Sequence, residues 1–531
     1  MIYEFLTPAN IWRDFDTDGT ALETTEVRSF VENDALISCY YFTALSAADG
    51  KVRCFVRIMR PTHGKKFPTI LVAESANASR PETYLSYVKD GFAVAIFDYA
   101  GRAEGKTYFT LYPDSMAHAN YATAGEALVQ AAPSAKHTSW HTWTAIARRV
   151  VTFLASLDYV DSKNIGMLGV KEGAFLAWQT VGTDERIASC AVLYGWDRPQ
   201  TETSEDEADC WQAGVAPESY MPSIRVPVLV AGASNDLATE FTKSGRLANL
   251  PKKTPLYHSV SVGLKQNMYL ADFRATNAFF NSTLVAKSLP DAPTLSVELN
   301  AKGGYVATLT ATGAVDAEIF FAIGESQEFL SFRRAAVKRT EDTFTAKLGA
   351  LKGETLYVLG KADFGTYKLT ATPFSLPLDS SDESGFGNHV IYSSSMGTDT
   401  AIPVGKTPFF DDPLALKAGA NDILGITSET GSLALCVADI TPDNVSVLSF
   451  DTSCRLERPM TVKVVFLEGN SPIVYSCEVQ TKPGKLWQRH LVELRDLKDA
   501  NHMSPDSFMG VKLIEFHFGG SSTVVNNVLW L

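Results

Sequence analysis

The period of apolar positions changes several times along the chain, and each change marks an element. Residues 51–61 alternate polar and apolar with period two, as a half-buried strand does. An aromatic run over 36–44 precedes them, and 67–73 is an unbroken apolar stretch that reads as a buried strand. The spacing predicts a helix over 84–89, a strand over 92–98, a helix over 143–157 and a short strand over 165–168. Further buried strands follow at 189–194, 226–232 and 256–262, then a helix over 268–284. Strands alternating with helices in this way predict an α/β fold with a mostly parallel, doubly wound sheet.

Beyond a Pro-containing linker at 288–293 the helical period disappears. Short strands at 295–299, 305–311, 317–323 and 356–360, with turn residues between them, predict an immunoglobulin-like β-sandwich over 294–377. A second, Ser- and Asp-rich linker at 378–385 leads to strands at 432–437, 460–467, 473–479, 511–518 and 524–531. The last of these reaches the final residue, which predicts that it pairs back into a sheet and closes a jelly roll over 388–531. The expected organisation is therefore an α/β domain over 1–288 followed by two all-β domains.

Composition narrows the partners. A net charge of −13 and a pI near 5.3 argue against nucleic acid, which calls for a basic face, and favour a neutral or cationic small-molecule ligand. The seven cysteines are scattered without a C-x-x-C pair, the usage of a reducing compartment without structural zinc. No metal-ligand spacing stands out, and no cofactor is expected. The N-terminus lacks a basic region followed by an apolar core, and no apolar run is long enough for a membrane span. The expectation is a cytoplasmic protein that spans no membrane.

The most informative stretch is residues 164–178. A short apolar strand runs into Gly169-Val170-Lys171-Glu172-Gly173 and then into an apolar helix. A turn this tight needs small residues on both sides and holds its apex in strained geometry, with the side chain projecting outward. Strand, glycine-flanked turn and helix form the layout of a nucleophile elbow, yet the apex residue is Lys171.

Residues 51–73, the loop after Asp98, this elbow and residues 227–236 together resemble the dienelactone hydrolase and acetyl xylan esterase branch of the α/β-hydrolase superfamily, over residues 50–285. The resemblance implies a triad in the order nucleophile, acid, histidine. Lys171 occupies the nucleophile position and Asp236 the acid position. The histidine loop reads Gly263-Leu264-Lys265-Gln266-Asn267-Met268, where Asn267 stands as a binding candidate and no histidine is present. His258 shares a strand face with Leu256 and Val260 and reads as a core or edge residue rather than a displaced base.

Where the family places His-Gly after its oxyanion strand, this chain has Ala73-Glu74-Ser75-Ala76-Asn77. A carboxylate there opposes a developing oxyanion. Lys171 at a partly dry cleft calls for a counter-charge, and Asp236 and Glu74 are expected to supply it as an ion-pair cluster. Glu172 reads as a solvated, dipole-favoured first-turn acid, with a pairing role to Lys171 as the alternative.

Several other residues have two readings. Asp98 and Arg102 are expected to fix the loop that walls the site. Ser75 and Ser234 read as turn or cap residues, with relocated nucleophiles as the alternative. His137, Trp140, His141 and Trp143 read as capping and core rather than a sugar pocket, and the acidic run 202–209 as a solvated loop rather than a cation-attracting rim. Phe409, Phe410 and Trp487 are candidates to stack on a saccharide, with core packing or a domain interface as the other reading.

The leading functional expectation is a hydrolase-fold protein without a serine triad that binds or scaffolds a saccharide or acylated small molecule. The alternative is an active carboxylic-ester hydrolase centred on Lys171 and Asp236, and a third reading is imine chemistry at Lys171.

Overall fold

A computed structural model describes the chain except residues 1, 77–80, 104–105, 200–202, 237–245, 263–269, 287, 289, 325–326, 328–329, 350–354, 379–389, 399, 405–412, 438–444, 469–470 and 521, and the side chains of 270–273. The chain divides into two compact units, residues 1–231, 238–257 and 276–290 in the first, and 232–237, 258–275 and 291–531 in the second.

The first unit is built on β1 (Thr25–Glu32), β2 (Ala35–Ala47), β3 (Gly50–Pro61), β4 (Phe67–Ala73), β5 (Ala93–Phe97), β6 (Val160–Val170), β7 (Ile187–Leu193) and all but the last two residues of β8 (Val228–Ala233). The strand order is β1-β2-β3-β5-β4-β6-β7-β8. The leading strands through β3 and β5 pair antiparallel, whereas β5, β4, β6, β7 and β8 pair parallel. This is the doubly wound α/β sheet expected from the alternating pattern. Because the central strands run parallel, β4, β5, β6 and β7 all end on one edge, the edge at which open α/β sheets bind ligands.

Two helices bury the sheet's centre. α1 (Ser139–Ala155) begins at Thr138, whose side chain accepts the His141 N–H. Trp140 and Trp143 on it are fully buried, and their indole N–H groups donate to the Leu128 and Ala119 carbonyls, so they are core residues. α2 (Glu172–Val181) is buried at every position from Gly173 onward, as its largely apolar sequence leads one to expect, with Gln179 and Thr180 buried too.

The acidic run is not a solvated loop. It forms a third helix, α3 (Glu205–Gly214), capped by Ser204. Glu207 is buried and accepts from the Ala131 N–H and the Arg198 guanidinium, each at 2.6 Å. The composition hid this because an acid paired to a distant arginine looks like any other acid in sequence.

In the second unit, residues 291–377 form two groups of antiparallel strands. One has the order Thr294–Leu299, Tyr305–Thr310, Thr343–Gly349, Val337–Thr340. In the other, Thr355–Asp363 pairs with Asp316–Ile323, Lys368–Thr370 and Phe374–Pro377. Leu309 and Phe344 from one group meet Ile319, Leu356 and Val358 from the other in one core.

Beyond 390 a six-stranded and a five-stranded sheet share a second core, in which Phe450, Val525 and Trp530 meet Leu433, Val462 and Phe516. The final strand, Thr523–Trp530, lies inside the six-stranded sheet and pairs with Val447–Cys454.

Candidate functional site

The elbow is present in the backbone. Lys171 sits at φ 55°, ψ −117°, a region that non-glycine residues rarely occupy, between the last residue of β6 and the first of α2. Its N–H donates to the Leu193 carbonyl at 2.9 Å, and its carbonyl accepts from Ala174 and Phe175.

The flanking glycines follow from how closely α2 lies on the sheet. A Cβ on Gly173 would stand 1.9 Å from the Ala73 carbonyl oxygen, and one on Gly169 2.3 Å from the Gly173 carbonyl oxygen. The parallel register that sets Ala73 against Gly169 brings the β4 end beneath the first turn of α2.

The side chains at this edge depart from what the sequence suggests. Glu172 is not a solvated first-turn acid. Its carboxylate turns back over the loop that follows β4, accepting from the Ser75 hydroxyl at 2.8 Å, the Ala76 N–H at 3.4 Å and the Tyr121 hydroxyl at 3.5 Å. Burial, and then the Glu172 charge, raise the Tyr121 phenol's pKa above its ordinary value, so it remains a proton donor.

Glu74 lines the adjacent cleft but does not pair with Lys171. It is 8% exposed and hydrogen bonds to Tyr84, whose pKa is raised first by burial and then by the Glu74 charge. Within the first unit no described carboxylate lies at ion-pair distance from the Lys171 amine, so Glu74 does not supply the expected counter-charge.

Asp98 fixes its loop as expected, but through a different partner. Lys106, not Arg102, pairs with it at 2.7 Å, and the N–H groups of Gly101 and Thr110 donate to its carboxylate. Arg102 is exposed, and its backbone N–H donates to Asn120. The cleft bounded by Phe55, Ser75, Asp98, Tyr99, Lys106 and Tyr108 measures about 50 Å³, room for a few waters. Small-molecule sites usually need at least about 300 Å³.

Asp236 and His258 belong to the second unit. Asp236 is buried, and its N–H donates to the Ala233 carbonyl. The preceding residues are tied into the same unit. Ser234 is buried, and its hydroxyl donates to the Asn235 side chain, whose amide donates to the Leu330 carbonyl at 2.9 Å. Ser234 is therefore a turn residue, as its sequence context suggests.

His258 is 2% exposed, opposite Thr370, and burial pushes its pKa down to about 4. Among the described residues neither ring nitrogen has a hydrogen-bond partner. Asn267, with the loop 263–268, lies outside the described residues, as do Phe409 and Phe410.

Sequence reasoning missed the roles of Tyr121 and Tyr84, whose hydroxyls reach Glu172 and Glu74; neither pairing follows from local spacing. Among the described residues no group of three or more His, Cys, Asp or Glu could hold a metal ion. Among the described residues no helix is long and apolar enough to cross a membrane.

No family model matches the chain, and no curated protein does. Solved structures do. Acetyl xylan esterase 1 from Thermoanaerobacterium sp. JW/SL YS485 is 15% identical with a TM-score of 0.40, over 52% of this chain and 93% of that one. An acetyl xylan esterase from Paenibacillus sp. R4 is 15% identical with a TM-score of 0.41, over 53% and 97%. A glucuronoyl esterase from Solibacter usitatus is 11% identical with a TM-score of 0.35, over 49% and 86%. Likenesses of this size define neither substrate nor reaction.

Proposed function

We propose that the first unit is a hydrolase-like domain that no longer transfers acyl groups and serves as a binding or scaffolding element for a saccharide or acylated small molecule. One observation carries this reading. The donors beside the elbow that an acyl-transfer site would keep for a developing oxyanion, the Ser75 hydroxyl and the Ala76 N–H, are turned to the Glu172 carboxylate.

A fixed anion where a second anion must form raises the barrier that an oxyanion hole lowers. The elbow apex offers no hydroxyl or thiol, and the neighbouring cleft around Ser75, Asp98 and Lys106, which Lys171 does not line, is too small for an acylated sugar. On this reading the elbow survives as a fold device that docks α2 on the sheet.

The competing reading is an ester hydrolase that uses Lys171 with Asp236. What favours it is that Lys171 keeps a strained apex and that no described carboxylate of its unit pairs with its amine. A lysine attacks only when neutral, so this reading needs an environment that removes its proton. The two β regions are read as an immunoglobulin-like domain and a jelly roll resembling a carbohydrate-binding module, and the seven free thiols fit a cytoplasmic protein. Hydrolysis of acetylated substrates by the intact chain and by Lys171→Ala separates the two functional readings.

A further inference from the structure

We propose that the last β region carries a binding cavity for a small organic anion. The cavity measures about 610 Å³, within the roughly 300–1,000 Å³ typical of small-molecule sites. It lies at one end of the six-stranded sheet, where Leu414–Ala418 and Val447–Cys454 stop and Thr523–Trp530 begins. The register that sets Cys454 opposite Thr523 brings these ends together.

Its chemistry differs from that of the rest of this acidic chain. Lys417 and Arg455 line it, no described residue is ion-paired or hydrogen bonded to either side chain, and no carboxylate is among the described lining residues. Ser522 lines it too, with a buried hydroxyl that no described residue satisfies. Half-buried Lys417 and exposed Arg455 are two cations with no partner among the described residues, which a polar anion would complete. The chain's net charge pointed to a neutral or cationic ligand, and the local charge here points the other way.

The cavity wall is also held in shape. Trp487 lies against Gly419 and Gly425, close enough that a Cβ on either would stand 2.6 Å or 2.8 Å from its ring. Its indole N–H donates to the Ala420 carbonyl, and the Ala420 N–H donates to the Ser453 hydroxyl, both at 3.0 Å. The next two residues, Asn421 and Asp422, are fixed at φ 55° and 56°. The candidate stacking tryptophan is thus a brace behind the wall. A site shaped before its ligand arrives loses less entropy on binding.

The anion is a carboxylate or a phosphate on a ligand of about mono- to disaccharide size. The test is calorimetric titration of the intact chain with digalacturonate, with glucose 6-phosphate and with neutral xylobiose. The expected result is saturable binding of one or both anions that weakens with added salt. In Lys417→Ala/Arg455→Ala the affinity should fall at least about tenfold with the melting temperature unchanged. Arg455→Gln, which keeps the side-chain bulk, should fall in the same direction. Digalacturonate alone binding assigns a carboxylate, and glucose 6-phosphate alone assigns a phosphate. The proposal is overturned if neither anion saturates at millimolar concentration, if xylobiose binds as tightly as they do, or if both variants bind like the parent. Ester hydrolysis by the chain would leave this result untouched, so the two proposals fail separately.

Discussion

The strand-end cleft of the first unit and the cavity in the last β region use their charged groups in opposite ways. In the cleft and beside it each named carboxylate has an internal donor: Asp98 has Lys106, Glu74 has Tyr84, and Glu172, next to the cleft, has Ser75. The remaining space is about 50 Å³. In the cavity, Lys417 and Arg455 have no partner among the described residues, around a volume of about 610 Å³. If both proposals hold, a backbone device such as the elbow persists where its site has closed on itself, whereas a binding site keeps charged groups free for its ligand.

The comparison breaks most easily at the glycines. Gly173→Ala drives a Cβ into the Ala73 carbonyl and should cost about 3 kcal/mol or more, because neither backbone can move without unseating α2. At the cavity, Gly484→Ala meets nothing nearer than 3.9 Å and should change stability by no more than about 0.5 kcal/mol. Urea midpoints of the two variants check this, and equal midpoints would mean that the elbow is not packed as described.

A smaller effect concerns His258, the nearest described histidine in sequence to where the triad base was expected. Burial holds its folded pKa at about 4, below the ordinary value near 6.5. The native state then binds fewer protons than the unfolded chain between these values. The ring contributes no pH dependence above about pH 6.5, and stability falls as pH drops toward 4. The loss should reach about 2 kcal/mol at pH 5. His258→Leu should lose correspondingly less stability than the parent between pH 7 and pH 5, and an unchanged slope would place a charged histidine in the folded protein.

The smallest effect tests the apex. Lys171→Gly relieves the positive φ and should raise stability by about 1 kcal/mol if the side chain has no structural task. A loss of stability instead would assign the lysine stem a contact that the cleft comparison leaves out.

The alternation of periods made the sheet, the elbow and the strand ends legible, because each depends on local apolar spacing. Gly169, Lys171 and Gly173 were legible as a turn because steric demand is local too. The partners of the charged groups were not. Glu172 folds back to a loop about a hundred positions earlier, Glu207 reaches Ala131 and Arg198, and Asp98 takes Lys106 over the nearer Arg102. Such pairings depend on which loops the topology brings to one edge. The cavity was hidden for the same reason, since Lys417, Arg455 and Ser522 come from three strand ends that only the sheet register joins.

The most direct test of the central claim is steady-state hydrolysis of an acetylated xylo-oligosaccharide and of a small activated acetate ester by the intact chain beside Lys171→Ala. If Glu172 holds the donors that acyl transfer needs, both proteins release acetate no faster than buffer. Release by the parent that disappears in Lys171→Ala would contradict the account and make the elbow lysine a catalytic residue.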